Sequence, residues 1–164
     1  MTAIAEAKKT SAAQTAGMGQ AVVGHAGTSL VAVLGSCIGV AMYHPRLHVG
    51  ALAHVVLPDS NNRTGPPAKF ADTAIPYLLQ LLKNEGVGSA GLTVKLAGGA
   101  SMFASSGPMQ IGAANLEAVT KALEAAGLRV AAQQVGGPKG RRVTLDCQSG
   151  EFVVEIAGTV SATL

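Results

Sequence analysis

Two residues of this sequence carry the side chains that covalent hydrolysis needs: Cys37 and, seventeen positions later, His54. A cysteine is a weak nucleophile as a thiol and a strong one as a thiolate. A neighbouring imidazole can take the thiol proton and later give it to a leaving group. Gly35 and Gly39 surround the cysteine with small groups, which leaves room for a substrate. The pair therefore indicates acyl transfer to Cys37 with His54 as the general base.

Each member of the pair also has an ordinary structural interpretation. A cysteine in an apolar run is often a small buried hydrophobe, and a lone histidine in an apolar strand is often a structural residue. The glycines favour catalysis at Cys37, because a glycine in a strand pattern marks a bend where backbone N–H groups can face an oxyanion. We expect N–H groups near residues 35–37 to do so.

Other candidates for chemistry are weaker. A zinc site made of Cys37, His54 and a third ligand lacks the close ligand spacing of structural zinc sites. Residues 98–101 have neither the lysine of a phosphate-binding loop nor three spaced glycines, and Ser101 lacks the flanking glycines of a hydrolase elbow. The remaining residues of reactive type are interpreted as structural or incidental: His25, His44, His48 and Cys147.

The composition fits one domain with an aliphatic core. The chain has 164 residues, of which 48% are hydrophobic and only 3% aromatic. Every apolar run is shorter than the roughly 20 residues that span a bilayer, so no membrane insertion is expected. Residues 1–20 lack the apolar core of a secretory signal, which favours two free thiols in a reducing cytoplasm.

Charge gives little support to nucleic-acid binding. The net charge is +3, and the positive residues cluster only at residues 139–142, with the sequence KGRR. No aromatic platform stands beside this cluster. A solvated loop, or a docking point for an acidic protein surface, is the better interpretation.

The pattern along the chain predicts a single mixed α/β domain over residues 21–157, between a mobile N-terminal tail at residues 1–20 and a C-terminal tail at 158–164. Thr73 is expected to cap a first helix that ends at Gly86, with Pro76 at its third position. A second helix is expected over residues 113–126, with Gly127 after it. Strands are predicted at residues 21–25, 29–34, 38–43, 49–57, 92–97, 128–135, 142–145 and 151–156.

Six blocks of this sequence, in order from about residue 21 to 157, resemble the CheD family of chemoreceptor glutamine deamidases. They are LGSCIGV (34–40), GALAHVVLPDS (50–60), KFADTA (69–74), AGGASMF (97–103), IGAAN (111–115) and VGG (135–137). The resemblance implies an α/β (α+β) fold with a mixed-sheet sandwich flanked by helices. It also implies hydrolysis of particular glutamine amides on methyl-accepting chemotaxis receptors, with Cys37 as nucleophile and His54 as catalytic histidine. The chemistry needs no metal and no organic cofactor.

One position departs from the family pattern. The family has a threonine six residues before its cysteine, which helps to orient the histidine, and Val31 stands there in this chain. Ser29 lies on the same face of the predicted strand and is a candidate substitute. Loss of an orienting residue can lower a rate by orders of magnitude while the nucleophile and base stay in place. The sequence therefore leaves the level of activity open.

Two alternatives remain at this point. The resemblance also implies binding to a CheC-type phosphatase of the chemotaxis response regulator, so the chain could be mainly a regulatory binding module. The other alternative is a different cysteine hydrolase, such as a small amidase or peptidase. Turnover of free glutamine, or cleavage of a peptide bond, would favour this other hydrolase.

Overall fold

A computed structural model describes residues 12–101 and 110–164 of the chain. Over these ranges two five-stranded sheets pack face to face, and two helices cover the second sheet. The strands are β1 (Ala12–Thr15), β2 (Ala21–His25), β3 (Thr28–Leu34), β4 (Ile38–His44), β5 (Val49–Val55), β6 (Thr93–Gly98), β7 (Val130–Val135), β8 (Arg141–Asp146), β9 (Phe152–Ile156) and β10 (Thr159–Thr163). The helices are α1 (Ala71–Asn84) and α2 (Ile111–Ala125), and a single 3-10 turn is formed by Pro67–Lys69.

Both sheets are mixed. The outer sheet has the strand order β1-β3-β8-β9-β10, and the central sheet has the order β2-β5-β4-β6-β7. Strands β1 and β3 are parallel, as are β6 and β7, while the other neighbours are antiparallel. The predicted α+β sandwich flanked by helices is therefore confirmed.

Alternation along β4 and β5 divides the core into two layers. In a strand, successive side chains point to opposite faces of the sheet. Val40 and Met42 of β4 pack under the helices, against Ile75 and Leu78 of α1. Ala41 of β4, by contrast, belongs to the layer between the sheets. Both faces of β4 and β5 are buried, which explains why these two strands are almost continuously apolar.

The ends of the chain differ from the sequence prediction. Residues 12–20 are not a free tail, because β1 pairs in parallel with β3 and the following residues cross to the central sheet. Residues 159–163 likewise form β10, paired with β9. The side chains of β1 are all exposed, so its sequence lacks the apolar alternation of a half-buried strand. Residues 1–11 of the predicted tail lie outside the described residues.

Both helices begin earlier than predicted, α1 by three residues and α2 by two. Helix α1 begins at Ala71, and Thr73 lies in its first turn, where the hydroxyl donates to the carbonyl of Pro67 at 2.6 Å. Pro76 is therefore the sixth helical residue and leaves the carbonyl of Asp72 without its usual i+4 N–H donor. The predicted helix end is confirmed for α2, since Gly127 follows it with φ of 75°.

Candidate active site

Cys37 lies at the end of a three-residue bend between β3 and β4. We call residues 35–37 the cysteine bend. Its thiol is 9% exposed and belongs to the apolar layer between the two sheets. The bend breaks the pleat where the chain passes from the outer sheet to the central sheet. Cys37 therefore lies where the chain leaves the outer sheet and enters the central sheet.

The pairing of β4 with β5 brings His54 to the same place. Gly39 is the cross-strand partner of His54, so the two residues point to the same face of the central sheet. His54 lies two residues after Leu52 of β5 and so faces the layer between the sheets, the layer to which Leu52 and Cys37 both belong. The structure thus brings the two predicted residues together.

Gly39 keeps the space beside His54 open. A Cβ at this position would lie 2.9 Å from Cδ1 of Leu34, and its direction is that of the histidine side chain on the neighbouring strand. A larger residue would therefore fill the space beside the cysteine and the histidine.

A main-chain carbonyl fixes the imidazole. Nδ1 of His54 lies 2.9 Å from the carbonyl oxygen of Ala16, a residue that is 1% exposed. A carbonyl oxygen can only accept, so Nδ1 carries the proton. In the neutral ring, Nε2 is then the unprotonated nitrogen, which can take a proton from a thiol. Ala16 is the orienting partner, and nothing in the sequence pattern pointed to it.

The chain from Ala16 to Gln20, which we call the crossing segment, is bonded to both sheets. The N–H of Ala16 donates to the carbonyl of Val31 in the outer sheet at 2.8 Å. The N–H of Gly19 donates to the carbonyl of His54, and the N–H of His54 donates to the carbonyl of Gln20, each at 2.9 Å. Both the side chain and the main chain of His54 are therefore held by this segment.

The sequence prediction about Val31 and Ser29 needs correction. Leu30 and Ala32 point into the layer between the sheets, so Val31 points to the other face of β3. Val31 is buried, but it belongs to neither core layer. Ser29 shares its face and so does not point towards His54. Position 31 reaches the histidine through its main-chain carbonyl and Ala16, and this contact does not depend on a hydroxyl.

The main-chain carbonyl oxygens of all three residues in the cysteine bend accept hydrogen bonds. The carbonyl of Gly35 accepts from the N–H of Ala100, and that of Cys37 accepts from the N–H of Gly99, each at 2.9 Å. Between them, the carbonyl of Ser36 accepts from Nδ2 of Asn115 at 3.1 Å. In a trans peptide the C=O and the next N–H point in opposite directions. The N–H groups of Ser36 and Cys37 therefore point away from these donors, and within the described ranges neither makes a backbone hydrogen bond.

The close approach behind the cysteine bend requires glycine. Gly98 has φ of 107°, and a Cβ there would lie 2.2 Å from the carbonyl oxygen of Cys37. Gly112, in the first turn of α2, lies against the same strand end, because its Cβ would meet the carbonyl oxygens of Gly99 and Ala100 at 2.5 and 2.7 Å. These contacts explain why glycines recur in the blocks at 97–103 and 111–115.

Arg141 supports this region from further away. It is 4% exposed, and its guanidinium donates to carbonyl oxygens of Gln134, Gly136 and Lys139. The turn that it holds is bonded in turn to residues behind the cysteine bend, since the N–H of Gly136 donates to the carbonyl of Gly98. The prediction of a solvated loop or docking point at residues 139–142 is therefore wrong for Arg141, which is buried.

Burial keeps both members of the pair neutral. It raises the pKa of the Cys37 thiol above its ordinary value of 9.0. Burial also lowers the pKa of His54 below 6.5, and the hydrogen bond to Ala16 opposes this only in part. Near neutral pH the resting site therefore holds a thiol and a neutral imidazole with Nε2 free to accept. The proton must move as the sulfur attacks, because burial disfavours a preformed ion pair.

The remaining reactive side chains have structural roles or lie elsewhere. His25 lies 2.8 Å from Glu85, and His48 contacts the hydroxyl of Tyr43 at 3.0 Å. Cys147 is fully buried, and burial raises its pKa to about 11. Within residues 12–101 and 110–164, no group of three or more His, Cys, Asp or Glu side chains could hold a metal ion.

The loop after β5 is anchored beside the site. The carbonyl of Lys69 accepts from the N–H groups of Val56 and Leu57. Further out, the hydroxyl of Ser60 donates to Asp72 at 2.7 Å. The residues that follow β5 are thus held close to the strand that carries His54. No helix in the described part of the chain is long and apolar enough to cross a membrane.

The fold and the geometry together define a two-sheet α+β protein whose cysteine and histidine suit thiol-dependent acyl transfer. The model of the family described as CheD chemotactic sensory transduction matches residues 56–156. The chain belongs to this CheD family. The matched region begins after Cys37 and His54.

Relatives of similar length match the chain more widely. It is 44% identical over 143 residues to the chemoreceptor glutamine deamidase CheD of Thermotoga maritima, covering 87% of this chain and 90% of that protein. It is 40% identical over 139 residues to a probable chemoreceptor glutamine deamidase CheD of Methanococcus maripaludis, covering 84% and 90%. Among solved structures, the hypothetical protein YfiH of Bacillus licheniformis aligns with a TM-score of 0.46 at 12% identity, over 71% of this chain and 49% of that one. This last likeness is too weak to bear on function.

Proposed function

We propose that this protein is a glutamine deamidase that converts particular glutamines of methyl-accepting chemotaxis receptors to glutamate. The observation that supports the proposal is the contact between Nδ1 of His54 and the carbonyl of Ala16, on a histidine that the β4–β5 register turns towards the layer containing Cys37. Membership of the CheD family supports the same substrate, because relatives with 40–44% identity are named chemoreceptor glutamine deamidases.

In the acylation half of the reaction, Nε2 of His54 takes the proton of Cys37 as the sulfur attacks the side-chain carboxamide carbon of the glutamine. The negative charge that develops on the amide oxygen faces the N–H groups of Ser36 and Cys37, whose directions are set by the held carbonyls of Gly35 and Ser36. The C–N bond then breaks, and protonated His54 gives its proton to the departing ammonia. The product is a thioester between Cys37 and the receptor.

In the second half, His54 takes a proton from water, which attacks the thioester carbonyl. The C–S bond breaks, the sulfur leaves as a thiolate that is reprotonated by His54, and the receptor residue is released as glutamate. Both halves use the same nitrogen of the histidine. The fixed tautomer therefore serves each proton transfer in turn.

The partner surface on the receptor is proposed to be a helical cytoplasmic region. Two exposed apolar side chains belong to segments that contact the site, and they can contact the apolar face of a receptor helix. Met18, in the crossing segment, is 70% exposed, and Ile111, next to Gly112, is 40% exposed. The protein would then act in the cytoplasm.

The test is mass spectrometry of purified receptor cytoplasmic fragments after incubation with wild-type protein, Cys37→Ala and Cys147→Ala. Conversion of glutamine to glutamate is expected with wild type and with Cys147→Ala, and not with Cys37→Ala. Cys147 is a matched control, because it is also a buried thiol in the layer between the sheets. Conversion at the wild-type rate by Cys37→Ala would contradict the proposal. Turnover of free glutamine, or peptide cleavage, would favour another cysteine hydrolase.

Binding to a CheC-type phosphatase is a second role that can coexist with the first. The sequence argument for a mainly regulatory protein is the missing threonine at Val31, and the contact between Ala16 and His54 offers another means of orienting the imidazole. Tight binding of such a phosphatase by a folded protein that shows no thiol-dependent turnover would restore the regulatory interpretation.

A further inference from the structure

Asn115 joins the two strand ends that carry the reacting groups. Its side chain is fully buried on α2, and Nδ2 donates to the carbonyl of Ser36 at 3.1 Å and to that of Val56 at 2.9 Å. Ser36 directly precedes Cys37, and Val56 lies two residues after His54. One amide group therefore links the cysteine bend to the strand of the histidine.

A buried amide at this helix position is costly. Val119 and Leu123, one and two turns further along the same face, are apolar and pack under the central sheet. Oδ1 of Asn115 is buried and has no hydrogen-bond partner among the described residues. An apolar side chain would avoid this unpaired acceptor, whose burial opposes folding. What the amide contributes is thus the pair of hydrogen bonds that Nδ2 donates.

We propose that Asn115 is a positioning residue that sets the direction of the Cys37 N–H. The carbonyl that it holds belongs to the Ser36–Cys37 peptide, so this bond turns the N–H of the same peptide towards the opposite side. That N–H is the donor for the charge that develops on the substrate amide oxygen, which makes the inference rest on the proposed deamidation. Ala100 and Gly99 fix the two flanking peptides, and Asn115 is the side chain that fixes the one between them.

The test separates an effect on oxyanion stabilisation from an effect on the nucleophile. Receptor deamidation develops an oxyanion, whereas alkylation of Cys37 by iodoacetamide is a displacement at carbon that develops none. The variants are Asn115→Leu and Asn115→Asp, neither of which can donate two N–H bonds near neutral pH. Thr120→Val, on the same helix, is the control, because its hydroxyl donates only to the helix carbonyl of Leu116.

For both Asn115 variants we expect kcat for deamidation to fall about 10²-fold, the loss typical of one oxyanion donor. We expect KM and the rate of Cys37 alkylation to stay within about 2-fold of wild type, since substrate binding and the thiol are untouched. Thr120→Val should match wild type in all three. Circular dichroism melting checks that each variant is folded, and a result from either folded variant is sufficient.

Two outcomes would overturn the inference. An unchanged kcat in a folded Asn115 variant would show that the N–H direction does not depend on this side chain. Equal losses of deamidation and alkylation would show that Asn115 supports the cysteine as a whole. A wild-type protein that is alkylated at Cys37 and yet never deamidates receptor would instead contradict the proposed function, and the inference with it. That result would be visible before any variant is compared.

Discussion

The carbonyl oxygen of Ala16 lies 2.9 Å from Nδ1 of His54, and the N–H of the same residue donates to the carbonyl of Val31 at 2.8 Å. One peptide segment thus connects the outer sheet to the imidazole of His54. In a serine-protease triad a carboxylate orients the histidine, and here a neutral main-chain carbonyl occupies that position. A carbonyl fixes the tautomer without holding a charge next to the imidazolium.

Replacing Ala16 by proline tests this connection. Proline has no N–H, so the bond to Val31 is lost and the carbonyl that faces His54 is no longer held in place. We expect kcat for deamidation to fall roughly 10²-fold, less than the loss measured when a triad loses its orienting carboxylate. Ala16→Gly keeps both main-chain bonds and should retain most of the activity. Steady-state kinetics on a receptor fragment would show the difference, and equal rates for the two variants would contradict it.

Restoring the family threonine should change little. Because the side chain of Val31 points away from the layer that contains His54, the hydroxyl of Val31→Thr cannot replace the bond from Ala16. We expect kcat/KM of this variant to stay within about 2-fold of wild type, a difference well below 1 kcal/mol. A gain of tenfold or more in the same assay would mean that position 31 reaches the imidazole through its side chain.

Part of this site could be predicted from the sequence. Cys37 and His54 are candidates because of their residue types, and the apolar runs around them predicted β4 and β5. Ala16 could not be recognised, because a carbonyl is present in every residue and β1 has no buried face to give it a pattern. Asn115 did give a signal, as a polar residue on an apolar helix face, but its two acceptors are main-chain atoms that only the folded structure identifies.

The acid limb of the pH profile of deamidation should have its midpoint below pH 6.5. His54 must be neutral to act as a base, and burial lowers its pKa below the ordinary value of 6.5. As pH falls, kcat/KM should therefore decline with a midpoint below pH 6.5. A pH profile of deamidation measures this directly. A midpoint above 6.5 would mean that a negative charge stabilises the imidazolium, which the described site does not contain.

The same titration affects stability with a definite sign. Because the folded pKa of His54 is lower, the unfolded chain binds the proton first as pH falls below 6.5. The contribution of the neutral histidine is complete above pH 6.5 and is lost as pH falls through the folded pKa. Urea unfolding at pH 7.5 and 5.5 should show a larger loss for wild type than for His54→Gln. Equal losses would show that His54 does not titrate differently in the two states.

The close approach behind the cysteine bend predicts a contrast between two glycines. Gly98→Ala places a Cβ 2.2 Å from the carbonyl oxygen of Cys37, whereas at Gly86, with φ of 81°, a Cβ would meet nothing within 4 Å. Both substitutions incur the cost of a left-handed backbone, about 1–2 kcal/mol. Gly98→Ala should lose roughly 1–3 kcal/mol more through overpacking, together with most of the activity. Chemical denaturation and kinetics on both variants would check this, and similar losses in the two would contradict it.

Cys37 is proposed to form a thioester with the receptor glutamine. Competition between hydroxylamine and water for this thioester provides the test. Hydroxylamine attacks a thioester in place of water, so the receptor residue would end as a hydroxamate, which mass spectrometry distinguishes from glutamate. We expect hydroxamate to replace glutamate as the hydroxylamine concentration rises, and Cys37→Ala to yield neither. If wild type gave only glutamate at every hydroxylamine concentration, or if Cys37→Ala still produced it, the covalent mechanism would be wrong.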